Sequence, residues 1–265
     1  MPILTSAAQG TPNPTKPPEE EDTDNTVDDL TSYSDGWASR YWDCCKPHCG
    51  WTGNTGNAGG TLQSCDQSDQ YLWDYSAQIA CAGGNAYVCF NLTPWSVSDS
   101  LSYGFVATAA ELGQATCGKC YQFDFVGASS HAGGDAGSTA LTGKHMIVQA
   151  INIGYDVNGN QFDLMVPGGG VGAFNACSSQ WSSSDLGQQY GGWLSTCKSQ
   201  GGSLDQIKSC VLNYCTQTFN ESFEAELLDA CQWFVDWYEA ADNPAIHWAE
   251  VPCPSALVNL TGMQQ

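Results

Sequence analysis

The chain has 265 residues, of which 42% are hydrophobic, so it can bury one sizeable domain and still carry extensions. Its formal net charge is −21, from 28 acidic and seven basic residues, which disfavours nucleic acids and anionic membrane surfaces as partners. No apolar stretch reaches the length of a transmembrane helix, and the residues after Met1 do not form a secretory signal.

The cysteines and aromatic residues indicate an exported protein with a neutral partner. Fourteen cysteines imply disulfides, so we expect a mature, secreted and extracellular protein. Ten tryptophans and eleven tyrosines suit a sugar polymer, because aromatic rings stack on the apolar faces of sugars. Most of these rings are nevertheless expected in the core.

The first 33 residues predict a disordered tail or linker. They combine the segment TPNPTKPP (11–18) with the acidic run EEEDTDNTVDD (19–29) and have no apolar periodicity, so they cannot bury enough surface to fold. Because the cysteines begin at Cys44, we place one folded domain at residues 34–265.

Short strands dominate the rest of the chain. Segments rich in β-branched and aromatic residues, bounded by glycine-rich turns, predict strands at 87–92, 120–126, 145–153 and 162–166. A helix is predicted from a cap at Asn220 or Ser222, through apolar residues at three- and four-residue steps, to a stop at 242–244. A shorter helix is predicted near 204–212. The pattern is that of a mainly β domain with peripheral helices and long loops.

Two motifs invite a metal, redox or phosphate interpretation. The cysteine groups at 44–49 and 117–120 lack the matching second pair of a zinc site, and disulfides explain them better. The run PGGGVG (167–172) lacks the residues of a phosphate-binding loop. Either it makes a tight turn, or Gly168 and Gly169 let backbone amides approach a ligand. We expect no metal and no cofactor.

A pair of acidic residues flanks a predicted hairpin. The Asn-Gly pair at 158–159 is a hairpin-turn signal, and in the strand after it Phe162 and Leu164 share one face while Asp163 points to the other. A carboxylate in an apolar strand is costly unless it faces a cleft, and Asp156 lies near enough to perturb its pKa. The pair is a candidate site, although many aspartate pairs on loops are simply solvated.

Several motifs together resemble glycoside hydrolase family 45, the small secreted endo-β-1,4-glucanases. They are SRYWDCCKPHCGW (39–51) and FDLMVPGGGVGAF (162–174), supported by TPWSVSDSLSYGFVAT (93–108), QQYGG (188–192) and YEAADNP (238–244). The resemblance spans residues 34–263. It implies a six-stranded double-psi β-barrel with an open groove, peripheral helices and long disulfide-stapled loops.

The resemblance implies a cellulase that inverts the anomeric carbon with two aspartates. Asp43 takes the position of the general base, Asp163 that of the general acid, and Asp156 that of an assisting carboxylate. Substrate contacts are implied for Tyr41, Trp51, Tyr190, Lys46 and Arg40. For the two basic residues a structural ion pair is an equal alternative. Some members carry His where this chain has Gln161, so the acid has a different neighbour here.

The resemblance also implies a disulfide map. The implied pairs are Cys44–Cys177, Cys45–Cys81, Cys49–Cys117, Cys65–Cys89, Cys120–Cys253 and Cys197–Cys231. A further family bridge is missing at both ends, where this chain has Gly118 and Met263. Cys210 and Cys215 are left over, and we predict that they form a local seventh bridge if the chain turns between them.

The implied partner is a β-glucan, cellulose or a cello-oligosaccharide, bound by a monomer. The main alternative is an expansin-like protein, which loosens wall polysaccharide on the same barrel without hydrolysing it. Such relatives generally lack an equivalent of Asp43, which favours the enzyme. A purely structural disulfide-rich domain would need neither paired acids nor an aromatic groove.

Overall fold

The structure, a computed structural model, describes residues 14–16, 28–109, 116–131 and 133–265. The strands are β1 (Ser34–Tyr41), β2 (Ser64–Cys65), β3 (Tyr71–Leu72), β4 (Trp95–Ser96), β5 (Leu101–Ala109), β6 (Cys120–Ser129), β7 (His145–Gly154), β8 (Gln161–Met165) and β9 (Pro244–Val251). The helices are α1 (Ala136–Ala140), α2 (Cys177–Gln180), α3 (Gly192–Ser199), α4 (Leu204–Thr218), α5 (Ala225–Asp236) and α6 (Ser255–Thr261). Within these ranges no helix combines the length and apolar character needed to cross a bilayer.

Six strands close into a barrel. Around the ring, β5 pairs with β7, β7 with β6, β6 with β9, β9 with β1 and β1 with β8, which returns to β5. The β1–β8 and β5–β7 pairs are parallel and the other four are antiparallel. β4 extends the sheet beside β5, and β2 and β3 form a separate hairpin. The predicted six-stranded double-psi β-barrel with peripheral helices is confirmed.

Aromatic rings from three strands fill part of the core. The ring centroid of Phe162 lies 5.1 Å from that of Tyr121 and 4.9 Å from those of Phe123 and Trp248. As the alternation of residues in β8 predicts, Phe162 and Leu164 are buried, whereas Asp163 is only partly buried. The barrel therefore uses one face of β8 for packing and leaves the other free for chemistry.

The predicted strands agree only in part with those observed. The segments 120–126, 145–153 and 162–166 correspond to β6, β7 and β8. The strand at 87–92 is wrong: this segment makes only isolated bridges at Tyr87 and is held by the Cys65–Cys89 disulfide. A short apolar run can thus be buried by a covalent bridge rather than by a sheet.

The two predicted helices exist with different bounds. α4 runs on to Thr218, beyond the predicted end near residue 212. α5 begins only at Ala225, after a 3₁₀ turn at which the Glu224 carboxylate accepts a hydrogen bond from the Glu221 backbone N–H (3.1 Å). The predicted cap at Asn220 or Ser222 is therefore replaced by a glutamate contact, and the helix stops at Asp236, before the predicted stop at 242–244.

Most of the acidic tail, residues 1–13 and 17–27, lies outside the described residues. The prediction that this part is disordered therefore falls outside them as well. Several described residues of the tail contact the folded domain. The Leu30 backbone N–H donates to Asp124 (2.9 Å), and the Tyr33 ring stacks on His247 with centroids 3.8 Å apart. The first barrel strand begins at Ser34.

All 14 cysteines are paired, and two of the expected bridges are wrong. The structure contains Cys44–Cys177, Cys45–Cys81, Cys49–Cys117, Cys65–Cys89 and Cys120–Cys253, as expected. In place of Cys197–Cys231 and Cys210–Cys215 it contains Cys197–Cys210 and Cys215–Cys231.

The correction follows from the continuity of α4 through both of its cysteines. Five residues along an α-helix correspond to a rise of about 7.5 Å. That rise already exceeds the Cα separation of about 4.4–6.8 Å that a disulfide tolerates. Cys210 instead meets Cys197 on α3 (Cα–Cα 5.9 Å), and Cys215 meets Cys231 on α5 (6.2 Å). The two bridges fasten α4 to both neighbouring helices.

Candidate active site

A cavity of about 620 Å³ lies beside the end of β1, the end of β7 and the middle of β8. Its walls contain all three predicted acids and all five predicted side chains for sugar contact. These eight are Arg40, Tyr41, Asp43, Lys46, Trp51, Asp156, Asp163 and Tyr190. Residues that are as far apart in the sequence as Arg40 and Tyr190 therefore meet at one site.

The backbone around Asp43 is held from several sides. The Trp42 N–H donates to the carbonyl of Gly170 (2.8 Å), and the Asp43 carbonyl accepts from the Ala176 N–H (2.8 Å). The next residue, Cys44, has a φ of +62°, a left-handed conformation that costs energy for a residue with a Cβ. Bridges at Cys44 and Cys45 hold this segment in place. The position of Asp43 is thus fixed covalently on its C-terminal side.

The Asp43 carboxyl group combines burial with one strong hydrogen bond. Burial raises its pKa from 3.8 to about 7, while its Oδ1 accepts from the Cys45 backbone N–H (2.8 Å), a contact that lowers the pKa. The charges of Asp163 and Asp156 raise it further. A carboxyl group with this pKa exchanges its proton near neutrality.

Asp163 lies on β8 opposite Ser39 of β1, with its carboxyl group toward the cavity. Burial raises its pKa from 3.8 to about 7, and the negative charge of Asp156 adds to the increase. The Ser39 hydroxyl and the charge of Arg40 act in the opposite direction. Its buried Oδ1 has no hydrogen-bond partner among the described residues. A free acceptor of this kind is suited to holding a proton.

Gln161 stands where some family members carry His, and it reaches Asp163 through the hydroxyl group of Ser39. Its side-chain amide donates to the Ser39 hydroxyl (2.7 Å), and its carbonyl accepts from the backbone N–H of Asn158 (3.2 Å). The glutamine therefore ties the hairpin turn to the serine beside Asp163.

The two basic residues of the cavity, Arg40 and Lys46, both bind other groups of the protein. Arg40 forms an ion pair with Asp242 (2.8 Å) and donates to the carbonyl of Gly191 (3.0 Å). The Lys46 ammonium donates to the carbonyls of Tyr75 (2.7 Å) and Ala77 (3.1 Å). The ion pair supports the structural alternative for Arg40, whereas Lys46 is held by backbone carbonyls and forms no ion pair within the described residues. Sugar contact by either residue stays a prediction.

Gly168 and Gly169 do not line the cavity, which corrects their predicted role. A Cβ on Gly168 would lie 2.0 Å from the Trp193 ring, and one on Gly169 would lie 3.0 Å from the Tyr41 backbone nitrogen. Their missing side chains therefore let this loop pack tightly against α3 and β1. In this loop the cavity lining begins at Gly170, directly after Gly169, and continues to Phe174.

The polar or aromatic residues of the cavity that the sequence analysis missed include Asn152, Tyr155 and Phe174. Asn152 on β7 donates to the Tyr41 hydroxyl (2.9 Å) and accepts from the His48 backbone N–H (2.8 Å). An amide inside an apolar strand is the same signal that identified Asp163. Tyr155 and Phe174 are exposed at the rim; Tyr155 directly precedes Asp156, and Phe174 ends the motif at 162–174.

Comparison with known proteins places this chain in a described family. The model of glycosyl hydrolase family 45 matches residues 35–264. "Endoglucanase B" of Cellvibrio japonicus is 51% identical over 246 residues, which cover 91% of this chain and 48% of that protein. An "Endoglucanase" of the springtail Cryptopygus antarcticus is 37% identical over 233 residues, with 86% and 88% covered.

A solved structure has the same architecture. The crystal structure of the cellulase from Cryptopygus antarcticus superposes with a TM-score of 0.69 at 34% identity, covering 88% of this chain and 98% of that one. The chain spans only about half the length of the Cellvibrio relative and of a putative type K endoglucanase from Fusarium oxysporum.

Proposed function

This chain belongs to glycosyl hydrolase family 45, and we propose that it is an endo-β-1,4-glucanase that cleaves internal bonds of cellulose or a related β-glucan with inversion. Asp163 is the general acid that protonates the leaving oxygen, and Asp43 is the general base that activates water on the other face of the sugar. Asp156 assists by its charge.

One observation carries the proposal: two partly buried aspartates, each with its pKa raised to about 7, line the same cavity. Inverting hydrolysis needs one carboxyl protonated and its partner ionised at the same pH. The Cys45 N–H stabilises the ionised form of Asp43, whereas the Oδ1 of Asp163 has no hydrogen-bond partner within the described residues. A single shared proton is therefore best held by Asp163.

Aromatic residues suit the cavity to a neutral sugar chain. Tyr41 and Trp51 line its wall, and Tyr190 is exposed at its edge. The non-hydrolytic alternative, an expansin-like protein, would need no general base at the position of Asp43. We further propose a monomeric, secreted enzyme whose catalytic domain covers residues 34–265, joined to residues 1–33 as a linker.

The products of a neutral cello-oligosaccharide test the reaction directly. We expect the proton NMR spectrum of the earliest products to contain the α-anomer at the new reducing end, because water attacks from the face opposite the leaving group. The two carboxyl groups are expected about 6.5–9.5 Å apart, which leaves room for that water. Early β-anomer would indicate a retaining enzyme, and wild-type protein that releases no product from any β-glucan would refute the proposed function.

Turnover should have a bell-shaped dependence on pH. It falls at acid pH as Asp43 takes up a proton and at alkaline pH as Asp163 loses one. Because burial raises both pKa values to about 7, the pair titrates as a unit, with its maximum at mildly acidic to neutral pH.

The variant Asp156→Asn tests this assignment. It removes a charge that raises the pKa of Asp163, so the alkaline limb of the turnover profile should move to lower pH. Asp99→Asn, an exposed aspartate in the turn before β5, is the matched control and should leave the profile in place. An unchanged alkaline limb in Asp156→Asn would contradict the assignment of Asp163 as the general acid.

A further inference from the structure

We propose that Trp73 and Tyr71 form an aromatic platform that binds a β-glucan chain where it extends beyond the catalytic cavity. Trp73 has 67% of its surface exposed, and no other tryptophan in the described ranges is as exposed. It does not line the cavity. The inference rests on the proposed function, because the ligand is the same polymer.

The platform is held rigidly by its surroundings. Tyr71 belongs to the β2–β3 hairpin, which the Cys65–Cys89 bridge fastens to the domain. The Tyr71 and Trp73 rings meet edge to face, with centroids 6.0 Å apart and an interplanar angle of 85°. The Tyr71 hydroxyl accepts from the Asn91 side chain (3.1 Å). Binding would therefore order few additional rotamers, which keeps its entropic cost low.

The segment after Trp73 is continuous with the cavity wall. The carbonyl of Tyr75 accepts from the Lys46 ammonium (2.7 Å), and that ammonium lies 3.6 Å from the ring centroid of Trp51. Both Lys46 and Trp51 line the cavity. A chain that leaves the cavity past Trp51 thus meets the segment that carries Trp73.

The charge beside the platform favours a neutral ligand. Hydrogen bonds from the hydroxyl and the backbone N–H of Ser76 hold the pKa of Asp74 below its usual value, so this exposed neighbour of Trp73 is ionised at weakly acidic pH. With the net charge of −21, a polyanion would be repelled. A neutral glucan presents apolar ring faces to Trp73 and hydroxyl groups that can donate to the Asp74 carboxylate.

Kinetics on long and short substrates test the platform. For Trp73→Ala we expect KM on a neutral soluble glucan such as hydroxyethyl-cellulose to rise about two- to tenfold, the range of an aromatic stacking contact, with kcat unchanged. On a cello-oligosaccharide short enough to lie within the cavity, both constants should match the wild type. Trp73→Phe, which keeps an aromatic ring, should recover most of the loss.

The matched control is Tyr33→Ala, another exposed aromatic. It precedes β1, which reaches the cavity at Arg40, so it lies about 23 Å along the strand from the cavity. It should leave both constants unchanged. Equal KM values for Trp73→Ala and the wild type on the long glucan would overturn the proposal, as would an equal rise on the short one.

A binding measurement separates this inference from the reaction itself. In native gels that contain hydroxyethyl-cellulose, wild type, Trp73→Phe and Tyr33→Ala should be retarded, and Trp73→Ala should migrate faster than all three. Retardation of a wild type that cleaves no glucan would refute the enzyme and keep the platform. Equal retardation of Trp73→Ala and wild type, or none in either, would refute the platform whatever the catalytic result.

Discussion

Asp43→Asn and Asp163→Asn should each lower kcat on a β-glucan by at least about 10²-fold, the low end of the loss when general acid or base catalysis is removed. Asparagine keeps the shape of the side chain but can neither accept the proton of the attacking water nor donate one to the leaving oxygen. Asp156→Asn should cost less, because its charge acts on Asp163 through space. Initial rates on a neutral cello-oligosaccharide measure all three.

Thermal unfolding provides the control for these two variants. Burial raises the pKa of both carboxyl groups from 3.8 to about 7, so the folded protein holds protons that the unfolded chain releases. These groups therefore lower the free energy of unfolding as pH rises from about 4 to about 7, and the loss is complete above that range. Asparagine removes this loss, so at pH 8 both variants should melt at or above the wild-type temperature.

Asp99→Asn, away from the cavity, should change neither rate nor melting temperature. Near-wild-type turnover in Asp43→Asn would mean that water is activated without this base. Loss of turnover together with a lower melting temperature would indicate damaged folding and withdraw the assignment.

The catalytic candidates could be predicted from the sequence, Asp163 because it conflicts with its local surroundings and Asp43 because its motif resembles that of the family. Asp163 interrupts an apolar strand, and Asp43 stands between a tryptophan and two cysteines. Burial of a carboxylate is costly in either place, so a functional reason is expected. Asn152 carries the same kind of signal in β7, and its contact with Tyr41 confirms that the signal extends to amides.

Which glycines of the loop at 167–172 face the cavity could not be predicted in the same way. Gly168 and Gly170 look alike in the sequence, but the first is packed against Trp193 of α3 and the second lines the cavity. That difference depends on a helix more than twenty residues away. Of the barrel strands, β1, β5 and β9 escaped prediction. β5 is buried on both faces, so it lacks the alternation that reveals a half-buried strand.

Removal of the Cys44–Cys177 bridge should destabilise the protein more than removal of the Cys197–Cys210 bridge. With Cys44 and Cys177 both changed to serine, a loop of 133 residues is released, for which the chain-entropy model gives about 5 kcal/mol of free energy of unfolding. Cys197→Ser with Cys210→Ser releases a loop of only 13 residues, for which the same model gives about 3 kcal/mol. Denaturant unfolding without reductant measures the difference.

The same pair of variants separates stability from catalysis. Cys44 follows Asp43 directly and is held at a φ of +62°, a conformation that relaxes once the bridge is gone. Because a shift of about 1 Å in a catalytic group costs about 10²-fold, turnover of the protein that remains folded should fall about 10- to 100-fold without this bridge. The α3–α4 bridge joins two peripheral helices and should leave turnover per folded molecule unchanged. Equal turnover in both variants would mean that hydrogen bonds to Gly170 and Ala176 hold Asp43 without covalent help.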